Sequence, residues 1–413
     1  MNWPTVPLRR LTECLDGRRF PLNREQRSNL PGDVPYWGAG GVLDFVESAI
    51  FDEPLLLLGE DGAPFFTPGK DVAYFVEGPT WVNNHIHALR PTAGDGRFLT
   101  YALNSVDYAN YITGTTRDKL TQDDLKQIEV PCPPLREQRR IADFLDAETT
   151  RIDHLLKLRS RQIDLHDEAA FSRVYDAVRG THVAGERKDS GLSWLGSIPA
   201  SWRVGAVSHY FEVELGKMLN QERAHGDHLR PYLRVANVQW DRIDISDLAM
   251  MDFPTEEQSR YRLKPGDLLV NEGGSWPGRA AVWNGDIHEI YYQKALHRIR
   301  SRGTESPRWL YYCLVVAERL RVFQVQGNTS TMTHLTREQL RPQRFPFPYI
   351  DVQRRAVERL DRAKTRDSVI RRLLNRQRSL LAERRQALIT AAVSGQFDVS
   401  TASGRNVTDG VSA

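Results

Sequence analysis

Amide, guanidinium and indole side chains are gathered in this sequence in a way that suits recognition rather than reaction. In its second half Asn237, Gln239, Trp240, Asn271, Ser275, Trp276, Arg279, Gln293 and Lys294 lie in stretches rich in glycine and polar residues, shortly after Tyr232 and Arg234. Asn and Gln can bond adenine through two hydrogen bonds, and Arg or Lys can bond guanine. Two further loops combine hydroxyls, backbone amides and basic groups, a mixture suited to phosphate. One holds Thr115, Thr116, Arg117 and Lys119; the other holds Asn328, Thr329, Ser330 and Thr331. In the first half the corresponding candidates are Tyr36, Trp37, Glu60, Asp61, Asn84 and His85.

Patterns that would indicate catalysis fail on inspection. Gly62 to Lys70 resembles a phosphate loop only in outline, because it carries two prolines and Asp71 stands where Ser or Thr should hold Mg²⁺. His85 and His87 alternate on an expected strand, so they point to opposite faces and make no metal pair. Cys14, Cys132 and Cys313 have no zinc spacing. Glu60 and Asp61 form a turn pair without a second acidic cluster. Asp124-x-Lys126 sits in a repeated structural segment. The expectation is no catalytic residue and no bound metal.

The elements that position these loops are duplicated. Leu120-Thr-Gln-Asp-Asp-Leu125 is echoed by Leu335-Thr-Arg-Glu-Gln-Leu340 at a spacing of about 215 residues, and internal repeats govern any reading of the fold. At the same offset Pro131 and Pro133 meet Pro346 and Pro348, Gln138 meets Gln353, Asp146 meets Asp361 and Gly180 meets Gly395. Each copy reads as a proline-rich stop, then a long helix free of proline and glycine, over Leu135 to Arg179 and Ile350 to Ser394. A helix of that length needs a partner rod, and two equal rods in one chain pack on each other. Leu374, Leu381 and Leu388 recur in sevens beside Leu373 and Leu380, a coiled-coil stripe.

The globes between the rods repeat more faintly. Pro35-Tyr36 recurs as Pro231-Tyr232, Leu57 to Gly62 as Leu269 to Gly274, and His87 to Arg90 as His297 to Arg300. The fold expected is α+β: two globular α/β domains and two long antiparallel helices with an internal pseudo-twofold repeat. The divisions are 1–134, a first globe; 135–180, a first long helix; 181–349, a linker and second globe; 350–395, a second long helix; and 396–413, a disordered tail. A net charge of +3 leaves the partner open. Unpaired cysteines, an N-terminus unlike a signal peptide and the lack of a membrane-length apolar run lead us to expect a cytoplasmic chain with no membrane partner.

With these residues in hand, the chain resembles the specificity subunit of type I restriction–modification enzymes over essentially its whole length. The resemblance rests on Trp194-Leu-Gly-Ser-Ile-Pro-Ala-Ser-Trp202, Tyr261 to Val270, Ile128 to Gln138 with its copy, and Ala387 to Gly395. Phe171 to Asp176 departs from its counterpart in the second copy, which puts the packing of that helix end in question. The resemblance implies two target-recognition domains, each reading one half of a split double-stranded DNA sequence. It also implies a helical spacer on which methyltransferase and restriction subunits assemble. S-adenosylmethionine, ATP and Mg²⁺ would then belong to those partners, and this chain would bind no cofactor. The alternatives are a specificity subunit serving a fused methyltransferase–nuclease, a stand-alone nuclease, and a coiled-coil scaffold that does not bind DNA.

Overall fold

In the computed structural model the chain divides into two compact units, Met1–Gln162 with Arg372–Ala413, and Ile163–Arg371. The structure describes residues 3–112, 118–218, 225–273, 277–303, 305–325 and 334–401. Each unit holds one globe and a part of both long helices, whereas the division read from sequence set the helices apart.

In the first unit, strands Thr12–Cys14, Ile86–Pro91, Leu55–Gly59 and Ala73–Val76 form an antiparallel sheet in that order. The run Leu55 to Leu58 occupies its centre because it is apolar on both faces. Leu56 and Leu58 pack with Phe98, Leu99 and Ala102 of helix Gly96–Leu103, while Leu55 and Leu57 pack with Phe51, Val82 and Ile86. A second sheet pairs Pro31–Gly38 with Gly41–Val46 and, in parallel, with Pro79–Val82.

The second unit has the same plan. Strands Phe211–Leu215, Leu296–Ser301, Leu268–Asn271 and Ala280–Val282 lie side by side in that order. Leu268 and Val270 face Trp309, Leu310 and Leu314 of helix Pro307–Arg319, and Leu269 faces Trp283 and Tyr292. The parallel pairing of Tyr36 with Trp81 in the first unit reappears as Tyr232 with Tyr291. Both globes begin and end on one two-stranded ribbon: Thr5–Pro7 with Glu129–Pro131, and Arg203–Ala206 with Arg344–Phe347.

The long helices run Leu135–Arg179 and Ile350–Ser394, 45 residues each. They pack antiparallel: Arg385 Nε lies 3.0 Å from Asp153 in the first unit, and Arg173 pairs with Asp367 in the second. Gly180 and Gly395 close them at φ 67° and 75°, the left-handed geometry that favours glycine after a helix. Thr121 and Thr336 cap the short helices upstream, each in a capping box. The leucine stripe is only half used. Leu374 and Leu388 are buried, whereas Leu373 and Leu380 are exposed.

A repeated clamp seats each globe on its helix. In the first unit Gln138 accepts from the Asp95 amide at 2.8 Å and donates to the Pro133 carbonyl at 2.8 Å. Arg97 meets Asp146 at 2.6 Å, and the Tyr101 hydroxyl donates to the same carboxylate at 2.8 Å. In the second unit Gln353 accepts from the Ser306 amide at 3.0 Å and donates to the Pro348 carbonyl at 2.8 Å. Arg308 meets Asp361 at 2.6 Å, and the Tyr312 hydroxyl donates to it at 2.5 Å. The helix residues of the clamp, Gln138 and Asp146 with Gln353 and Asp361, are members of the 215-residue repeat.

The segment after Gly395 corrects one expectation. Phe397 packs on Phe144 with ring centroids 5.6 Å apart, and Val399 is buried in the first unit's core. Those two apolar side chains give the start of the expected disordered tail something to bury. Residues 402–413 lie outside the described residues.

Candidate nucleic-acid interface

The loops at one end of each globe converge through backbone hydrogen bonds. In the first unit the Glu60 amide donates to the His85 carbonyl at 2.9 Å, the Leu120 amide to Glu60 at 2.8 Å, and the Asn83 amide to Trp37 at 3.1 Å. In the second, the Glu272 amide donates to Ala295 at 2.9 Å, the Leu335 amide to Glu272 at 2.6 Å, and the Gln293 amide to Leu233 at 3.1 Å. One backbone framework therefore carries different side chains in the two units. Asn84, His85 and Lys119 are exposed on the first, close to Glu60 and Asp61. Lys294 is exposed on the second, and Gln293 beside it is half-buried.

A second candidate surface in this unit is the hairpin Val238–Ile243, whose two strands are joined by Trp240 and Asp241. Its Gln239 side-chain oxygen accepts a hydrogen bond from Arg279, and the Gln239 amide group donates to Ala236 O at 3.1 Å. A carboxamide and a guanidinium held side by side present donors and an acceptor in fixed directions, as base recognition requires. Trp240 is half-buried and meets Tyr311 edge to face, with centroids 6.1 Å apart.

Several expected contact residues are instead part of the scaffold. Tyr36 is buried, and its hydroxyl accepts from the Leu22 amide at 2.8 Å. Tyr232 is buried against Met251, Phe253 and Tyr291. Asn237 is buried; it accepts from the Arg234 amide and donates to Asp244 O at 2.8 Å and Asp247 O at 2.9 Å, which leaves no edge for a base. Asn271 is buried and donates to Val238 O at 3.2 Å, tying the hairpin to the loop that follows it. Arg234 is bonded to Asp247 at 2.6 Å, and Trp37 packs on Tyr74. Thr115, Thr116, Arg117, Ser275, Trp276, Asn328, Thr329, Ser330 and Thr331 lie outside the described residues.

Glu60 belongs to a buried charge network that the sequence reading did not find. Asp16, Glu60 and His87 bring one ligand-type atom each within 4.8 Å of one another. His87 Nδ1 lies 2.7 Å from Asp16, and its Nε2 lies 2.9 Å from Leu120 O. Arg19 meets Glu60 at 2.7 Å, Gln122 donates to Asp16 at 2.9 Å, and Lys119 lies 3.4 Å from Glu60. With those donors filling the carboxylates, the cluster acts as an ion-pair lock between the sheet and the repeated Leu120 segment. In the second unit His297 Nε2 bonds Leu335 O at 2.7 Å, the same latch with no carboxylate bonded to it among the described residues, and burial lowers its imidazole pKa.

Burial opposes ionisation of Asp16. Hydrogen bonding and attraction from His87, the Ala88 amide and Arg19 overcome it and bring its pKa down to about 2. A depressed carboxylate stabilises the fold above its unfolded value near 4 and loses that contribution as pH falls toward 2. Asp16→Asn is expected to cost about 2 kcal/mol at pH 7, with the difference from wild type shrinking below pH 4. Urea unfolding at pH 7 and pH 3 measures both; an undiminished gap at pH 3 would refute the assignment.

Comparison with known proteins accords with this geometry. Residues 1–163 match the family model described as the type I restriction modification DNA specificity domain. The chain is 23% identical to S.HindORF215P of Haemophilus influenzae, a chain assigned as a type I restriction enzyme specificity subunit, over 87% of each sequence. It is 21% identical to the Escherichia coli EcoKI specificity subunit, covering 73% of this chain and 65% of that one. Among solved structures, a chain studied for complex assembly and conformational transition of the type I R-M system has a TM-score of 0.69 at 17% identity, covering 96% of this chain and 98% of that one. The HsdS subunit from Thermoanaerobacter tengcongensis has a TM-score of 0.51 at 17% identity, covering 96% and 97%. Residues 1–163 thus match the type I restriction modification DNA specificity domain, and the chain as a whole carries the fold seen in the HsdS subunit.

Proposed function

We propose that this chain reads a two-part double-stranded DNA target, one part through each globe, and supplies the helical surface on which methyltransferase and restriction subunits assemble. The observation that carries the reading is the pairing of constancy with divergence. Clamp, ribbon and loop backbone repeat between the units, while the side chains on the loops differ. A protein that reads two different half-sites has to keep its frame and vary its readers. Exposed Leu158, Leu373 and Leu380 in the first unit, and Leu165, Val369 and Ile370 in the second, leave apolar helix surface for partner subunits. Methyl transfer and cleavage, with S-adenosylmethionine, ATP and Mg²⁺, are assigned to those partners. No helix among the described residues is long and apolar enough to cross a membrane.

Selection of duplexes from a random-sequence DNA pool by the full chain in its assembled complex tests the proposal. Two short conserved blocks separated by an unspecified gap are expected, and a single block or none would refute it. Lys294→Ala is expected to weaken all duplexes alike and to reduce the slope of log affinity against log salt by about 1. A base-specific effect would remove Lys294 from the phosphate-contacting set.

A further inference from the structure

The two clamps differ in what they hold, and the difference reaches the reading loops. In the first unit Arg97 gives its other terminal guanidinium nitrogen to Asp143 at 2.8 Å, a residue of the same long helix, and its Nε lies 3.8 Å from Asp95. In the second unit Arg308 turns instead to Asp241, bonding both carboxylate oxygens, one of them at 2.8 Å. Lys364, on the long helix, bonds the same carboxylate and also donates to the Tyr311 hydroxyl at 3.2 Å. The position equivalent to Lys364 in the first copy is Thr149, whose hydroxyl lies 3.2 Å from that of Tyr101.

Asp241 occupies the turn of the hairpin that carries Gln239. Its φ is 55°, a left-handed conformation tolerated by Asp or Asn at modest cost. Its amide donates to Ala280 O at 2.9 Å, next to Arg279. Burial works against its charge, but hydrogen bonds from Arg308 and Lys364 hold its pKa below the ordinary carboxylate range. One residue therefore meets the reading hairpin, the strand after Arg279, the clamp arginine and the long helix.

We infer that Asp241 is a positioning residue that locks the Gln239–Arg279 pair of the second globe to the frame helix, through a tether that stands where the first globe's clamp has the Tyr101–Thr149 contact. The inference rests on the DNA-reading function proposed above. Base discrimination depends on angular precision, because a bidentate contact is lost when donor and acceptor directions swing apart. Asn271 ties the Val238 strand to its neighbouring loop and Ala280 O takes the Asp241 amide, and neither contact fixes the turn to the helix. Asp241 and Lys364 fix the turn to the longest rigid element of the unit.

The test uses the full chain in its assembled complex. Asp241→Asn keeps the size and the left-handed backbone while removing the charge that Arg308 and Lys364 bind; Lys364→Met removes the other end. Wild type first yields a preferred duplex from the random pool, and single-base changes are then scored in each half. Discrimination in one half-site is expected to fall roughly tenfold for both variants, with the other half unchanged. Hydrogen exchange of amides 238–243 is expected to quicken in parallel, a readout independent of DNA. Normal discrimination in both halves, or equal loss in both, would overturn the inference while leaving the bipartite reading intact. Unchanged exchange would show that the tether does not hold the hairpin and would overturn it equally. Should wild type select no two-part sequence, the functional reading falls first and this inference with it.

Discussion

On the function proposed above, exchange of residues 202–334 for the corresponding block of a type I specificity subunit such as that of EcoKI is expected to replace one half of the recognised DNA sequence and leave the other half as it was. The two-stranded ribbon between Arg203–Ala206 and Arg344–Phe347 brings the block's beginning to the frame strand that follows it, so the junctions meet without a long detour. What the new block must supply is also defined. Ser306, Arg308 and Tyr312 have to meet Gln353 and Asp361, and His297 has to meet the Leu335 carbonyl. A donor with arginine and tyrosine at the clamp positions should seat. A donor without them should give a complex that binds DNA weakly through that half. Selection from a random duplex pool reads the result, and a change in both halves at once would show that the globes do not read independently.

The second large effect concerns stability. Trp309 is fully buried, donates from its indole nitrogen to Pro346 O at 2.8 Å and meets Trp202 edge to face at 5.9 Å. It thereby joins helix Pro307–Arg319, the incoming segment and the proline that precedes the long helix. Trp309→Ala is expected to cost about 3–5 kcal/mol through cavity formation. For a unit of this size that lowers the midpoint of thermal unfolding by roughly 10 °C. Trp309→Phe should cost much less, since Phe98 fills the corresponding place in the first unit. Calorimetry of the full chain measures both, and a loss under about 1 kcal/mol for the alanine variant would contradict this account.

The sequence made the frame legible because a repeat at fixed spacing reports on geometry twice. Prolines and terminal glycines located both long helices, and Gln138 with Gln353 and Asp146 with Asp361 stood in the repeat before any contact was known. The reading residues were harder. Asn237 and Asn271 lie in polar stretches, but a carboxamide that braces a turn and one that reads a base are the same group until its partners are seen. Tyr36 and Tyr232 were repeated because both support the parallel strand pair, a structural reason that sequence similarity cannot separate from a contact role. The Asp16–His87 bond joins residues 71 apart with no periodic signal. Asp241 gave none either, since its importance comes from Arg308 and Lys364, distant in the chain.

The partial divergence of the two helix copies has a bearing on how this chain arose and what it excludes. Leu388, Ile389, Ala392 and Val393 complete the core of the first unit. Their counterparts in the first copy are Arg173, Val174, Ala177 and Val178, and Arg173 is partly exposed and paired with Asp367. If an ancestral half-length chain once met a second copy of itself, the present first half can no longer do so. A guanidinium would be driven into the space Leu388 fills, away from water and from Asp367, at a desolvation cost that the lost ion pair could not offset. Such a substitution disfavours self-association of the first half and leaves its core to be completed by Leu388 of the second helix copy.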